Sequence, residues 1–437
     1  MTRIIPDSVS SAGEIPARVD VVVIGGGIVG TSTALSLAEK GVTVALCEKG
    51  LIGAEQSGRN WGWVRQMGRD PIEIPLSMLS MERWREMNER TGEETGFRQT
   101  GIAYLCRNDR EEAEYEAWLN GARDYGLDSK LLRKEELRQH LPGMANGFTA
   151  ALHTSTDGRA EPLKASPAIA NAAIRAGAHV LTGCAVRTIE RSAGRVSGVV
   201  TEKGSIACTS VVLAGGAWSR LFAGNMGIDF PQLKVLSTAA RSTPVTGVPD
   251  MPVGADNFAF RRRLDGGFTL TRRNVSIAPV TPDSFRLFAD FLPNLVKSWR
   301  ELKIRVGNRF IQEWQTPRSW TPDEITPFEQ VRILDPMPIE RYNRQGLSHL
   351  AHAFPAFKDA RIVQTWAGLI DVTPDAVPVI SAINSIPGFY LASGFSGHGF
   401  GIGPGAGQLM AEIVTGAKTS VDPTPFRFDR LQRDKAA

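Results

Sequence analysis

The chain has 437 residues, with 50 basic and 46 acidic side chains and a formal net charge of +4. This balance argues against nucleic-acid binding, and the length predicts two domains rather than one. Four scattered cysteines without a C-x-x-C motif indicate neither a disulfide framework nor a metal site, and they fit a reducing cytoplasm. No apolar run reaches the roughly 18 residues of a membrane span and no signal-peptide pattern opens the chain, so we expect a cytoplasmic protein, with peripheral membrane association left open.

The first predicted elements form a strand–helix–strand unit. Residues 19–24 are an apolar, β-branched run typical of a buried parallel strand. Gly25, Gly27 and Gly30 follow as G-x-G-x-x-G, and a helical pattern then runs to Gly41. A second strand, 42–47, ends at Glu48. In such a unit the glycines allow a tight turn, a close approach of a pyrophosphate to the backbone, and close packing of helix on strand.

This unit predicts a bound dinucleotide. The helix begins at Ile28 and Val29, where free N–H groups and a partial positive charge favour phosphate. Glu48 stands where an acid accepts hydrogen bonds from the adenosine ribose. An acid rather than an arginine at this place disfavours NADP, whereas NAD and FAD stay equally compatible with the unit.

The segment after Glu48 favours a larger, flatter ligand. It reads KGLIGAEQSGRNWGWVRQMGRDP, from Lys49 to Pro71, and is polar and rich in glycine and tryptophan. Such a loop suits the lining of a flat cofactor, and a surface loop with packed aromatics is the alternative. Further elements typical of a parallel-sheet domain are predicted later in the chain: a helix over 162–176 and strands over 179–181, 186–190 and 211–214. A third such segment holds seven glycines between Gly394 and Gly407. A cofactor domain in three separated segments is not typical of a compact NAD domain.

With these motifs the chain resembles the FAD-dependent D-amino acid oxidase and glycine/sarcosine oxidase superfamily over essentially its whole length. The resemblance rests on the glycine unit and on DGRAEPLKASPAIANAAIRAG, VVLAGGAWS, TPDAVPVI, GHGFGIGPGAG and DPTPF. The stretches from Cys184 to Asp229 and TPFEQVR look most like bacterial FAD-dependent L-amino acid deaminases, and NWGWVRQMGRD resembles opine-oxidase-type subunits. Two departures from those deaminases are noted: no N-terminal membrane-spanning segment is expected, and His398 is kept in GHGF.

The resemblance implies an α/β fold with an α+β substrate domain. We expect a Rossmann-like FAD-binding domain with a parallel central sheet, made of residues 18–71, 149–224 and 364–430. The substrate domain, 72–148 and 225–363, is expected to be built on a mostly antiparallel sheet.

The resemblance also implies that the late glycines line the flavin ring and that a helix from Gly405 to Val414 points its N-terminus at it. We expect non-covalent FAD because GHGFG contains no cysteine and GRNWG no histidine. The residues predicted to contact the cofactor are Gly25, Gly27, Ile28, Val29, Gly30, Glu48, Lys49, Gln56, Ser57, Arg59, Asn60, Trp61, Val186, Ala214, Gly215, Trp218, Gly397, His398, Gly399, Phe400 and Gly401.

Substrate contacts are predicted on a hairpin, NFAFRRRLDGGFTLTRRN, which turns at Asp265-Gly266-Gly267. Arg261 and Arg263 share one face, and by resemblance to the deaminases Arg261 is the candidate carboxylate clamp; a solvated basic face is the alternative. Further residues predicted to line the substrate pocket are Gln99, Trp366, His398 and Trp63. For each of them a purely structural role is the alternative. His349 and His352 lack a third ligand nearby, so no metal is expected.

The activity so implied is oxidation of an amino acid C–N bond by hydride transfer to flavin N5, giving an imine that hydrolyses to a keto acid and ammonia. Two alternatives stay open: oxidation of a secondary amine (an opine, sarcosine or an imino acid), alone or as the catalytic subunit of a complex, and a non-catalytic flavin-bound subunit. The expected partners are the amino acid or amine and an electron acceptor, which is oxygen, a quinone or a protein. Oligomer and hetero-complex are left open.

Overall fold

A computed structural model describes residues 4–298 and 302–432 of the chain. The strands of this part are β1 (Val21–Ile24), β2 (Val44–Cys47), β3 (Trp63–Val64), β4 (Arg98–Gln99), β5 (Ile102–Cys106), β6 (Lys130–Arg133), β7 (Ala150–Thr154), β8 (Gly158–Arg159), β9 (His179–Leu181), β10 (Val186–Ser192), β11 (Arg195–Thr201), β12 (Gly204–Ala207), β13 (Ser210–Leu213), β14 (Leu233–Ser242), β15 (Val253–Gly254), β16 (Ala259–Arg262), β17 (Phe268–Thr271), β18 (Ser276–Pro279), β19 (Leu302–Arg305), β20 (Ile362–Val372), β21 (Val379–Ala382) and β22 (Phe389–Ser393).

Helices alternate with these strands in both halves of the chain. They are α1 (Ile28–Ala38), α2 (Gln56–Arg59), α3 (Ile74–Thr91), α4 (Asp109–Ala122), α5 (Lys134–His140), α6 (Pro162–Arg175), α7 (Ser219–Asn225), α8 (Pro282–Arg286), α9 (Phe288–Ser298), α10 (Asn308–Gln315), α11 (Pro327–Gln330), α12 (Glu340–Ala353) and α13 (Gly399–Thr415). Within residues 4–298 and 302–432, none of them is both long and apolar enough to cross a bilayer.

The first large sheet has six strands in the order β21-β22-β13-β1-β2-β9. β1 lies between β13 and β2 and runs parallel to both, and only β21 is antiparallel to its neighbour. The four residues of β1 are all buried, as expected for a strand covered on both faces. This confirms the predicted parallel central sheet, and its strands come from widely separated parts of the chain.

The second large sheet has ten strands, in the order β19-β18-β14-β17-β16-β15-β5-β7-β6 with β20 paired to β14. Its pairs are antiparallel except for β15 with β5 and β18 with β19. The predicted hairpin is present as β16 and β17. The expected mostly antiparallel second sheet, and with it the mixed α/β fold, is confirmed.

The late glycine-rich stretch differs from the prediction because it is itself helical. α13 begins at Gly399, not at Gly405, and lies against α1 and α3. A Cβ at Gly405 would stand 2.9 Å from the Leu76 carbonyl oxygen, and one at Gly407 would stand 2.5 Å from Ser32 Cβ. These glycines therefore serve the close approach of three helices, and only the first turn of α13 is left to face a ligand.

Candidate active site

A long cavity follows the carboxyl ends of the parallel strands. Its wall includes Ile24 at the end of β1, Cys47 at the end of β2 and Leu213 at the end of β13, and it continues to Gly399 and Phe400 in the first turn of α13. This is the place where open parallel sheets bind their ligands.

The glycine turn between β1 and α1 cannot carry side chains. Gly25 has a φ of +107°, and a Cβ there would lie 2.5 Å from the Ala214 carbonyl oxygen. A Cβ at Gly30 would lie 1.9 Å from the Gly25 carbonyl oxygen. α1 starts with no side-chain cap at Gly27, and the Ile28 N–H donates to Ser57 Oγ at 2.9 Å. The start of this helix therefore keeps backbone donors for an anion in the cavity.

Glu48 both lines the cavity and braces the turn. Its Oε2 accepts from the Gly26 N–H and its Oε1 from the Gly50 N–H, each at 2.7 Å. Burial raises the pKa of Glu48, although Lys49 and these N–H donors oppose the shift. Each carboxylate oxygen keeps a second lone pair, so a ribose hydroxyl can still be accepted.

A segment that the sequence assigned to the substrate side closes this cavity. We call residues 326–335 the closing segment; its Phe328 lines the cavity. Lys49 Nζ donates to the carbonyl oxygens of Val331 and Arg332 at 2.9 and 3.0 Å. Arg332 in turn pairs with Glu202. Only TPFEQVR, noted for its resemblance, could have drawn attention to this segment.

Glu55 joins the closing segment to the cavity wall. Its carboxylate accepts from Lys49 Nζ at 2.6 Å, from Trp218 Nε1 at 3.0 Å and from the Leu334 N–H at 2.9 Å. The Lys49 ammonium also stands 4.7 Å from the centre of the Trp218 ring. The prediction that Lys49 and Trp218 border the cofactor is consistent with these positions, and Glu55 is a wall residue that the sequence did not reveal.

Most residues predicted to contact the cofactor face this cavity, and their contact with FAD stays a prediction. Those that line it are Gly25, Gly27, Ile28, Val29, Glu48, Lys49, Gln56, Ser57, Asn60, Val186, Ala214, Gly215, Trp218, Gly397, Gly399 and Phe400. The other predicted residues, Gly30, Arg59, Trp61, His398 and Gly401, lie outside the lining. Arg59, for example, donates to the Ala54 and Ala367 carbonyl oxygens and to Asp335.

Asp371 is a further lining residue that the sequence did not reveal. It is buried on β20, and its Oδ2 accepts from the Gly394 N–H at 2.7 Å. Burial raises the pKa of Asp371. An isolated acid inside a strand gives no pattern to detect, because its role depends on a loop that follows 22 residues later.

The predicted carboxylate clamp, Arg261, is instead an internal ion pair. It is fully buried and faces Glu161, with Nη1–Oε1 and Nη2–Oε2 distances of 2.7 and 3.2 Å. Its Nε donates to the Trp61 carbonyl oxygen at 2.7 Å, and the remaining N–H groups reach the Arg262 carbonyl oxygen and Thr269 Oγ1. All five guanidinium donors thus have an acceptor inside the protein. This corrects the sequence interpretation, because none is left for a substrate.

The other predicted pocket walls differ in position. Gln99 is exposed and accepts from Arg85 Nε at 3.1 Å, so it points to the surface rather than into a pocket. Trp366 is buried, with Nε1 donating to the Arg59 carbonyl oxygen at 2.9 Å. Trp63 is buried between Trp61 and Tyr104, and its Nε1 has no hydrogen-bond partner among the described residues.

Charged side chains gather at the first turn of α13. We call Arg65, Arg69, Glu73 and His398 the charged corner. A Cβ at Gly401 would lie 3.4 Å from Arg69 Nη2, 3.5 Å from the Arg65 backbone nitrogen and 3.3 Å from the Trp63 carbonyl oxygen. The corner therefore adjoins Gly397, Gly399 and Phe400 of the cavity wall.

Arg69 is a buried cation of the charged corner that keeps an open donor. The residue is 3% exposed, and its Nη1 has no hydrogen-bond partner within residues 4–298 and 302–432. Burial, followed by the charge of Arg65, lowers the pKa of Arg69 to about 9. A buried cation with an open donor at a helix N-terminus is suited to an anionic ligand. Position 69 sits in a polar loop, and no sequence signal marked it.

Clusters that could hold a metal ion do not occur among the residues that the structure describes. His349 Nδ1 bonds to the Asn257 carbonyl oxygen and His352 Nδ1 to the Ser348 carbonyl oxygen. The two histidines are therefore engaged with the backbone.

Comparison with known proteins relates the chain to one family of flavin-dependent oxidoreductases. Residues 20–413 match the DAO family, described as FAD dependent oxidoreductase. L-Amino acid deaminase from Proteus myxofaciens, solved with anthranilate, superposes with a TM-score of 0.95 at 34% identity, covering 99% of this chain and 97% of that one. Glycine oxidase from Pseudomonas aeruginosa is 25% identical over 93% of this chain and 97% of its own length. Mouse mitochondrial sarcosine dehydrogenase is 25% identical over 95% of this chain, which spans only 42% of that protein.

Proposed function

Since the chain belongs to the DAO family of FAD dependent oxidoreductases, we propose that it oxidises the C–N bond of an α-amino acid. The protein is an oxidoreductase of amino acids or amines with FAD as its cofactor. The finer statement, a primary α-amino acid deaminated to a keto acid and ammonia, is the proposal. The match of 34% identity to an L-amino acid deaminase supports it.

The observation that carries the proposal is the open, buried Arg69 at the start of α13. An α-amino acid brings a carboxylate, and Arg69 Nη1 is a desolvated donor without a partner in the described structure. Arg65 lies beside it and is half-buried, with Nη1 donating to the Met67 carbonyl oxygen at 2.6 Å. We therefore assign the substrate carboxylate to Arg69, Arg65 and the first N–H groups of α13, in place of Arg261.

The residues of the cavity fit FAD along its length. The uncapped start of α1 and the glycine turn would hold the pyrophosphate, and Glu48 would accept from the adenosine ribose. The first turn of α13 would lie at the flavin ring, where its positive end stabilises negative charge. When bound, FAD supplies the oxidant, accepting a hydride at N5. We propose non-covalent binding, because GHGFG and GRNWG supply neither cysteine nor histidine at the predicted attachment positions.

The protein's own contribution is orientation and exclusion of water. Holding the carboxylate fixes the α-carbon hydrogen relative to the ring, which can be worth several orders of magnitude in rate. Trp63, which is buried and whose carbonyl oxygen lies beside Gly401, would help to exclude water from the reacting carbon. The imine then hydrolyses to a keto acid and ammonia once water is admitted.

A secondary amine is the second candidate substrate. Sarcosine dehydrogenase matches nearly the whole of this chain, and the charged corner would hold the carboxylate of an N-alkylated amino acid equally well. Whether a primary or a secondary amine is preferred depends on the space around the substrate nitrogen.

An anaerobic flavin-reduction screen tests the proposal. We expect bleaching of the oxidised flavin by primary α-amino acids, with one enantiomer preferred. N-alkylated amino acids and opines serve as competing substrates, and 2-hydroxy acids of the same side chains serve as controls that keep the carboxylate and lack the amine. Faster reduction by N-alkylated compounds would support the second candidate. No reduction by any amine would support a non-catalytic flavin-bound subunit and contradict the proposal.

A further inference from the structure

Resting on the proposed function, we infer that His398 accepts the proton of the substrate ammonium group and that Glu73 is the positioning residue that fixes His398 for this task. The charged corner then binds two neighbouring groups of the substrate, the carboxylate and the amine. Its arginines hold the carboxylate, and its histidine receives the proton that the amine must lose before oxidation.

The geometry of the pair carries this inference. Glu73 ends the short helical turn Pro71–Glu73 just before α3, and its side chain is 1% exposed. His398 Nδ1 lies 2.9 Å from Glu73 Oε2 and 3.3 Å from Oε1. The His398 side chain keeps 27% of its surface exposed, and its chain neighbours Gly397 and Gly399 line the cavity. One edge of the ring is thus held at a buried carboxylate, and part of the side chain stays exposed beside the cavity wall.

The anchored edge decides the tautomer. An ionised carboxylate can only accept, so Nδ1 carries the hydrogen and donates it to Glu73. Nε2 is then left with its lone pair, on the edge of the ring away from Glu73. A histidine held by a carboxylate in this way has a fixed ring orientation and a more basic free nitrogen.

Several charges face this pair. Arg65 and Arg69 approach from the loop after β3. Asp371 on β20 contacts the backbone before His398, where its carbonyl oxygen accepts from the Ser396 N–H at 2.9 Å. Burial, then Arg69, lowers the pKa of His398, while Glu73 opposes the shift. For Glu73, burial alone would raise the pKa, but His398 and Arg69 outweigh it and the net pKa lies below the usual value. The pair is therefore a neutral imidazole beside an ionised carboxylate at neutral pH.

The N–H bond of the substrate ammonium breaks, the proton forms a bond with His398 Nε2, and the electron pair stays on the amine nitrogen. That lone pair assists departure of the α-hydrogen as hydride. The imidazolium formed is stabilised by Glu73 and loses its proton to solvent, to which the side chain is partly exposed. General-base assistance of this kind is typically worth 10²–10⁴-fold in rate.

The test is the pH dependence of anaerobic flavin reduction at saturating amino acid. His398→Asn is the decisive variant, because an asparagine can still donate to Glu73 but offers no acceptor in place of Nε2. We expect its rate at neutral pH to fall by roughly 10²-fold and to rise towards the wild-type rate at alkaline pH, where the substrate is already deprotonated. A purely structural defect would lower the rate equally at all pH values.

Glu73→Gln tests the positioning role. Removing the anion removes the group that raises the His398 pKa, so the acid limb of the profile should move to lower pH while the plateau rate falls about tenfold. Glu73→Asp, which keeps the charge, should leave the limb near its wild-type position. Glu86→Gln, at a half-exposed position of α3, is the matched control and should change nothing.

The outcomes separate the two proposals. If no amine reduces the wild-type flavin, the proposed function fails and this inference falls with it. If amines reduce the flavin but His398→Asn retains the wild-type rate and acid limb, only the inference is overturned. Flavin content after purification checks that each variant has folded.

Discussion

Arg69 and Arg261 are both buried arginines, and they differ in how many of their donors are satisfied. Arg261 gives all five N–H groups to Glu161, Thr269 and two backbone carbonyl oxygens. Arg69 has an Nη1 without a partner in the described structure and a pKa lowered to about 9. The comparison teaches that burial alone does not mark a functional arginine. Arg59 and Arg159 are also buried and also keep open donors, so an open donor is informative only together with its place, which for Arg69 is beside Gly401 at the start of α13.

The largest effect on stability is expected at Arg261, whose donors are all satisfied. Arg261→Ala leaves the Glu161 carboxylate, 7% exposed, without its cation, so the free energy of unfolding should fall by about 3–5 kcal/mol. Urea unfolding monitored by circular dichroism measures this, and Glu161→Gln with Arg261→Met should recover part of the loss. A variant as stable as wild type with a raised KM would restore Arg261 as the carboxylate clamp.

Substitution of Arg69, which keeps an open donor, should affect substrate binding rather than stability. Arg69→Met removes a poorly compensated cation, so stability should change little, whereas the Kd of an amino acid in anaerobic flavin reduction should rise about 10²-fold, or about 3 kcal/mol. Arg110→Met, at an exposed position of α4, is the control. An unchanged Kd would remove Arg69 from the site.

Asp157 holds the loop that carries both Arg65 and Arg69. Its carboxylate accepts from the Gln66 and Met67 N–H groups, and burial raises its pKa from 3.8 to about 7. The folded protein therefore holds this proton more tightly, so the stability it contributes is complete below about pH 4 and is lost as the pH rises towards 7.

Asp157→Asn should abolish this dependence and gain about 1–3 kcal/mol at pH 8 relative to wild type. Thermal unfolding between pH 4 and 8 measures it. Asp128→Asn is the contrasting control: burial raises the pKa of Asp128, but hydrogen bonds from Ser155 and Thr156 outweigh it and lower the pKa, so this variant should lose stability at pH 8. Parallel pH profiles for Asp157→Asn and wild type would contradict the prediction.

The smallest effect is expected at Gln99. Because its side chain is exposed and bonded to Arg85, Gln99→Ala should change the substrate Kd by less than about twofold and stability by less than about 0.5 kcal/mol. A Kd change as large as that for Arg69→Met would mean that this strand reaches the substrate.

The cofactor side could be predicted because its signals are local. Gly25, Gly27, Gly30 and Glu48 fall within one strand–helix–strand unit, where spacing alone implies geometry. The substrate side could not, because Arg261 finds its partner 100 residues away and Arg69 is buried only once β3 and α13 come together. The start of α13 was misplaced for a related reason: glycine and Pro404 disfavour a helix locally, and packing against α1 and α3 overrides that preference.

The closing segment has a consequence for how the enzyme is made. Lys49 and Val331 are hydrogen-bonded across 282 residues of chain, so the ribosome exposes the nucleotide-binding turn long before its cover is synthesised. Gly397, Gly399 and Phe400 of the same cavity wall are synthesised later still, so the site is complete only once α13 has formed. We therefore expect the coenzyme to bind after the closing segment is in place, and FAD added to the refolding apoprotein should restore active enzyme.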